Sequence, residues 1–355
     1  MVIHMFPKSQ FVEGFVSFVR NHFDTKNHKV ILYTNQRFEL PSELYEMEFV
    51  SDYDEKNLFW LYRELISADK IIFHNLSVTF YVMLMVYLTP SIAKKASWLV
   101  WGGDLYCYRK RPKRMMDRFV EHMRKVIISR LPYIATLTTG DYDLARKWYK
   151  TKAKNIRVNY CDENEINILK DVQKMNLPES DTVNILLGNS ATESNCHIEM
   201  LDVLSKFKNE NICIYVPLSY GNMEYAKKVK EYGSKIFRDK IVYIEKFMDR
   251  RQYFSLIARM QVTIFNHDRQ QALGNIFAML FLGKKVYLRQ GTAMWSEMTN
   301  SWKYHVFSAE EIVNETLQGL CEYNSIERSK NMQIAERFYN VKNKVAEWSV
   351  FFDGH

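Results

Sequence analysis

Residues Ile264–Leu288 read IFNHDRQQALGNIFAMLFLGKKVYL, and the period of this stretch decides the fold class. Val262 to Phe265 is an apolar strand. A polar loop, Asn266 to Gln271, follows. A helix then opens near Gly274, with Ile276, Phe277, Leu280 and Phe281 spaced to bury one face. Gly283 supplies a C-terminal stop, and Val286, Tyr287 and Leu288 form the next strand. This β–loop–α–β unit is the repeating piece of a helix-covered parallel sheet. Its loop sets Arg269, Gln270 and Gln271 beside a helix N-terminus, where free amides and the positive end of the dipole favour an anion. A diphosphate suits that chemistry. The same letters also fit an ordinary αβ connection with a solvated loop.

The alternation continues on the N-terminal side of this unit. Val183 to Leu187 (VNILL) is a strand that ends in Gly188, Asn189 and Ser190, followed by a polar loop and a helix from His197. Such an opening suits the phosphate or sugar of a nucleotide donor, although it is neither a P-loop nor a G-x-G-x-x-G fingerprint. Ile212 to Val216 is the next strand and leads to Tyr220 and Gly221. A helix covers Glu224 to Tyr232. The strand Ile241 to Glu245 leads to Phe247, and Asp249 caps a helix over Arg250 to Ala258. The polar segment Asn164 to Thr182, broken at Pro178, marks a domain boundary. We place one α/β domain at 1–170, a second at 171–330, and a C-terminal helix in 331–355 that packs back on the first.

The first half alternates in the same way. Val2 to Phe6, Val30 to Thr34, Lys70 to Phe73, Trp98 to Trp101 and Ile134 to Thr138 read as strands, and Leu58 to Ile66 and Val78 to Leu88 as helices, the second of them buried. Ligands of open parallel sheets sit beyond the carboxyl ends of the strands. His74, Asp104 and Thr139-Gly140-Asp141 follow such ends. Asp104, after two glycines, fits a base or a sugar-hydroxyl ligand, and equally a helix cap. His74 reads as a hydrogen-bonded structural residue or as a site residue. Asp141-Tyr142-Asp143 matches DxD formally but reads as a helix opening.

Arg109 to Leu131 carries nine Lys/Arg against two acids. Met116, Phe119, Val120, Met123 and Ile127 fall on one helical face. A basic amphipathic helix of this kind can lie on an anionic membrane or be a domain helix with a basic solvent face. The whole chain has 355 residues, net charge +8 and 47% hydrophobic residues, with pI about 9.0. That balance favours anionic partners. No nucleic-acid-binding signature accompanies it. Five scattered cysteines without a CxxC pair argue against a zinc site or a disulfide framework. The longest apolar run, Val78 to Leu88, is too short to span a bilayer, so any membrane contact is expected to be peripheral.

The ordered motifs WGGDLY, LLGNSATESNCH, VPLSYGNMEYAKKV, FMDRRQY, HDRQQALGNI and LGKKVYL resemble glycosyltransferase family 56, the TDP-N-acetylfucosamine:lipid II N-acetylfucosaminyltransferases, also called 4-alpha-L-fucosyltransferases. The likeness covers roughly Trp98 to Tyr106 and Asn184 to Leu288. It implies a GT-B architecture, two Rossmann-like domains facing across a cleft, with the acceptor on the N-terminal domain and the donor on the C-terminal one. It further implies transfer of a sugar such as Fuc4NAc or fucose from a nucleotide diphosphate, most simply a dTDP-linked one, to a lipid-diphosphate-linked saccharide at the cytoplasmic face of a bacterial inner membrane. The resemblance implies no metal, because GT-B enzymes generally need none, and no cofactor, because the nucleotide-sugar is a substrate. On that reading Asp104 acts on the acceptor hydroxyl. Gly188, Asn189, Ser190, Tyr220, Gly221, Glu245, Phe247, Arg269, Gln270, Gly274 and Asn275 hold the donor. His74, Arg109, Arg111 and Lys113 meet the acceptor or the membrane. The alternatives are a GT-B-fold sugar-nucleotide epimerase or hydrolase, and a non-catalytic sugar-nucleotide-binding protein.

Overall fold

A computed structural model of the protein describes residues 1–33, 39–109, 114–160, 163–176 and 180–353. The chain divides into two compact units, Met1–Glu163 with Asn340–His355 (unit 1) and Asn164–Tyr339 (unit 2).

Unit 1 is built on a seven-stranded sheet. Its strands are β1 (Val2–Pro7), β2 (His28–Tyr33), β3 (Val50–Asp52), β4 (Lys70–His74), β5 (Ala96–Leu99), β6 (Tyr133–Thr136) and β7 (Lys154–Arg157). They run in the order β3-β2-β1-β4-β5-β6-β7, and every pairing is parallel. The central strands are apolar on both faces, as a sheet covered by helices on each side requires. Ile3, Met5, Ile71 and Phe73 face one core, and Phe6, Val30, Leu32 and Ile72 the other.

Unit 2 repeats the plan with six strands: β8 (Val183–Leu187), β9 (Ile212–Pro217), β10 (Ile241–Ile244), β11 (Val262–Phe265), β12 (Lys285–Leu288) and β13 (Phe307–Ser308). Their order is β10-β9-β8-β11-β12-β13, again all parallel. The switch of winding direction at β8 and β11 is the usual ligand-binding position of such sheets. The helix that decided the fold spans Leu273–Phe281 and buries Ile276, Phe277, Leu280 and Phe281 as its spacing required.

Three local expectations differ from the structure. The boundary lies seven residues earlier than 170, because the helix Glu163–Gln173 is apart from Glu163 itself part of unit 2. The C-terminal segment is two helices, Ser325–Phe338 and Val341–Asp353. Asn340 breaks it: its side chain accepts from Lys342 N at 3.0 Å and so opens the second helix as an N-cap does. Phe338 stacks on Phe277 in unit 2, whereas Trp348 and Phe351 are fully buried in unit 1, where each contributes about 2–3 kcal/mol of apolar burial. Finally, the helix Phe80–Leu88 is not buried all round, since Tyr81 and Leu88 are 52% and 66% exposed.

Candidate functional site

Because all strands of unit 2 are parallel, the loops that leave β8, β9, β10, β11 and β12 emerge on one rim. Hydrogen bonds join three of these loops. Asn195 is fully buried, and its Oδ1 accepts from Asn189 N and from His267 Nε2, each at 2.9 Å. Its Nδ2 donates to Thr192 Oγ1 at 2.7 Å and to Ser190 Oγ at 3.3 Å. Gln271 Nε2 donates to Asn189 Oδ1 (2.8 Å) while its Oε1 accepts from Ser194 Oγ (2.5 Å). Asn189 Nδ2 in turn donates to Tyr220 Oη at 2.8 Å. Buried Asn189 and Ser190 therefore share one hydrogen-bonded network with half-buried Gln271 and exposed Tyr220, fixed by bonds that leave few alternative rotamers.

Two glycines make this packing possible. Gly188 has φ +73°, and a Cβ there would meet His197 Nε2 at 2.5 Å and Asn195 Oδ1 at 2.7 Å. Gly221 has φ +117°, and its Cβ would meet the Ala191 carbonyl oxygen at 2.6 Å, where Ala191 and Gly221 form a parallel bridge. Both positions need a residue without a side chain.

Beside this surface the helix Leu273–Phe281 begins without a side-chain cap, from Ala272 in the left-handed region. Its first intrahelical bond is Ile276 N to Ala272 O, so the amides of Leu273, Gly274 and Asn275 have no intrahelical acceptor. Space above Gly274 is open, with nothing within 4 Å of an added Cβ. The guanidinium of Arg269 donates to Gln270 O at 3.1 Å, and its charge acts on both Tyr220 and His267. Backbone amides, a helix dipole and one arginine thus converge on one stretch of rim, the chemistry that holds an anion.

Glu245 and Phe247 stand apart. They leave the edge strand β10, Glu245 is ion-paired to Lys230 at 2.6 Å on the surface, and Phe247 is 67% exposed. Neither bonds to the network. Asn195, His267, Thr192 and Ser194 belong to this network and were not singled out by sequence reasoning, whereas Gln271 was read as part of the loop beside the helix N-terminus. For Thr192, Ser194 and Asn195 the signal was the density of polar residues in SATESNCH, which does not say which side chain turns inward.

In unit 1 the structure corrects two assignments. Asp104 is 1% exposed. Its Oδ2 accepts from Leu76 N (2.9 Å) and Trp98 Nε1 (2.6 Å), and its Oδ1 from Trp101 N (3.0 Å) and Leu105 N (3.1 Å). Burial holds the carboxyl above the usual carboxylate range, and the Leu76, Trp98 and Trp101 donors and Arg124 offset this only in part. A carboxylate with both oxygens occupied and no surface cannot take a proton from a bound hydroxyl, so Asp104 is the organiser of the turn 101–105. His74 is fully buried as well, bonded to His4 and, at 2.7 Å, to Tyr160 Oη; it does not reach an acceptor. Asp141 lies in the first turn of the helix Thr139–Tyr149, whose N-cap is Thr138, and accepts from Tyr106 Oη. Arg109 is exposed with its guanidinium over the rings of Tyr106 and Trp148. Arg111 and Lys113 lie outside the described residues. The helix over the basic stretch spans Met115–Arg130 and buries Met123 and Ile127, but Met115, Met116 and Phe119 are 87%, 57% and 41% exposed.

The profile of the 4-alpha-L-fucosyltransferase family, glycosyl transferase group 56, matches residues 63–348. Similar solved structures include Anabaena HepE, determined with UDP and glucose, at TM-score 0.68 and 11% identity over 100% of both chains. WaaG, a glycosyltransferase of lipopolysaccharide biosynthesis, matches at 0.65 and 12% over 100% of both chains. A glycosyltransferase from Rickettsia africae matches at 0.65 and 12% over 99% of this chain and 98% of that one. These likenesses establish the fold as GT-B.

Proposed function

The chain belongs to the 4-alpha-L-fucosyltransferase family, glycosyl transferase group 56, and from that premise we propose that it moves a fucose-type deoxy or amino sugar from a nucleotide diphosphate to a lipid-linked saccharide. The chain is a glycosyltransferase; the donor, the lipid link and the membrane are the proposal. The observation that carries it is the convergence on one rim of unit 2 of Arg269, the uncapped helix at Gly274 and the Asn189–Tyr220–Gln271 network. The donor pyrophosphate lies against the amides near Gly274 and Asn275 and the Arg269 guanidinium. Positive charge fixed there before reaction stabilises the departing nucleotide diphosphate without a metal ion. Gly188 and Ser190 border the sugar, and Tyr220 and Gly221 the nucleoside. HepE, with the same fold, holds UDP and glucose, which supports a nucleotide-sugar in this chain too. Unit 1 takes the acceptor.

Calorimetric titration with dTDP-, UDP- and GDP-sugars tests this reading. One nucleotide series, with the dTDP sugars foremost, binds, and Arg269→Ala weakens it by roughly 10–100-fold, the worth of a charge-assisted hydrogen bond to phosphate. Unchanged affinity in that variant removes Arg269 from the site.

A lipid-linked acceptor requires contact with a membrane surface. No helix among the described residues is long and apolar enough to cross one. Met115, Met116 and Phe119 are exposed on a helix that also exposes Arg114, Arg118 and Lys125, and the helix Phe80–Leu88 packed against it exposes Tyr81 and Leu88. Apolar side chains ringed by cations suit the interface of an anionic bilayer. The chain is expected to sediment with phosphatidylglycerol-containing vesicles and not with pure phosphatidylcholine, and Met115→Glu with Phe119→Glu to abolish this. Equal recovery of both proteins with the anionic vesicles would exclude this helix as the contact.

A further inference from the structure

Three histidines from three strands form a hydrogen-bonded chain through unit 1. His28 opens β2, His4 lies within β1 and His74 closes β4. His28 Nδ1 is 3.0 Å from His4 Nε2, and His4 Nδ1 is 3.0 Å from His74 Nε2. His74 Nδ1 is 2.7 Å from Tyr160 Oη, which also accepts from Trp101 Nε1 at 2.8 Å. An indole nitrogen only donates. The arrangement that leaves no hydroxyl proton unpaired has Tyr160 donate to His74 Nδ1, His74 Nε2–H to His4 Nδ1, and His4 Nε2–H to His28 Nδ1. The C-terminal helix closes over this chain: Trp348 stacks along His74, and Phe352 meets His4 and His28 edge-on.

The chain ends among rings at the carboxyl rim of the sheet. Trp101 and Tyr160 are half-buried there. Phe11, in the loop that leaves β1, is 38% exposed. It lies parallel to Tyr160 at 5.6 Å and edge-on to Trp101 at 5.2 Å. A pyranose ring carries an apolar C–H face, which a partly exposed aromatic floor matches.

We propose that Phe11 and Trp101, set on Tyr160, form a stacking subsite for a pyranose ring of the saccharide acceptor, and that the His74–His4–His28 chain positions it. This rests on the assignment of the acceptor to unit 1. Phe11 and Trp101 touch the sugar. Tyr160 and the histidines act through Trp101 by fixing the ring that its indole N–H addresses. Asp104, which accepts from Trp101 N, fixes the same residue from the other side.

Saturation-transfer NMR of the full chain with the methyl β-glycosides of N-acetylglucosamine and of glucose tests the subsite without any donor. Transfer from aromatic protons to at least one glycoside is expected, and Phe11→Ala, which alters no buried core residue, is expected to lose most of it. In turnover with a membrane lipid extract as acceptor, Phe11→Ala raises the acceptor KM about tenfold, the scale of one aromatic contact, with donor affinity unchanged. Tyr160→Phe keeps the ring and removes the hydroxyl between Trp101 and His74; it raises the acceptor KM in the same direction with kcat preserved. Equal glycoside signals in wild type and Phe11→Ala, or an unchanged acceptor KM, overturn the proposal. Absence of nucleotide-sugar binding in the wild type would instead refute the donor assignment and leave the glycoside result to decide this one.

Discussion

Asp104→Asn is expected to lower the unfolding free energy of unit 1 by about 2–4 kcal/mol. The reason is geometric. Two N–H groups point at each carboxylate oxygen, Leu76 N and Trp98 Nε1 at one, Trp101 N and Leu105 N at the other. An asparagine amide carries one oxygen, so in either orientation its NH2 faces a pair of donors inside a site that is 1% exposed. Loss of the buried negative charge offsets part of this, because burial already disfavours it. Urea denaturation followed by tryptophan fluorescence reads the change, and nucleotide-sugar affinity of the folded protein stays at the wild-type value. A variant that keeps the wild-type midpoint yet turns over a thousandfold more slowly would return the carboxylate to the role of base.

Acid should unfold the protein in a narrow window. His4, His74 and His267 are held well below the ordinary histidine range, and His28 and His197 at about 4, in each case chiefly by burial. Neighbouring charges modify this. Lys70 and the other histidines push His4 down further, Asp24 raises His28 while the N-terminus lowers it, and Arg269 lowers His267. All five are neutral in the folded protein at pH 7. Their folded pKa values lie below the unfolded one, so the unfolded chain takes up protons first. The stability they permit is complete above about pH 6.5 and is lost as pH falls toward 4. His28 and His197 alone each remove about 3 kcal/mol by pH 4, against a typical total of about 5–15 kcal/mol. Unfolding free energy measured from pH 7 to pH 4.5 is expected to fall steeply below pH 6. His197→Phe is the informative control. Neither ring nitrogen of His197 has a hydrogen-bond partner among the described residues, so the variant loses a titrating group without losing a bond and should resist acid better. A flat profile over that range would mean that these histidines are not neutral in the folded state.

Particular residues show how far letters alone reach. Val262–Phe265 and Leu273–Phe281 were legible because period and flanking polar residues act over a few positions. Asp249 was legible as a cap for the same reason, and it does accept from Gln252 N. Asp104 was readable only as base or cap, because the donors at Leu76 and Trp98 come from other parts of unit 1. The break at Asn340 was missed because Phe338 and Val341 continue a helical spacing even though each packs in a different unit. The loops at Gly188, Tyr220 and Arg269 were legible as candidate donor contacts from strand ends, whereas Asn195, which joins the first of them to His267 in the third, looks like any other loop asparagine.

Local period and turn chemistry therefore determined two parallel α/β units and the rim on which ligands of such sheets sit, because those signals depend only on near neighbours in the chain. Tertiary structure alone decided that Asp104 is saturated, that His4, His28 and His74 touch, and that Asn195 faces inward. Each of these depends on groups brought together from separate strands and loops, and whether a polar side chain is spent inside the protein or offered to a substrate is settled by who its partners are.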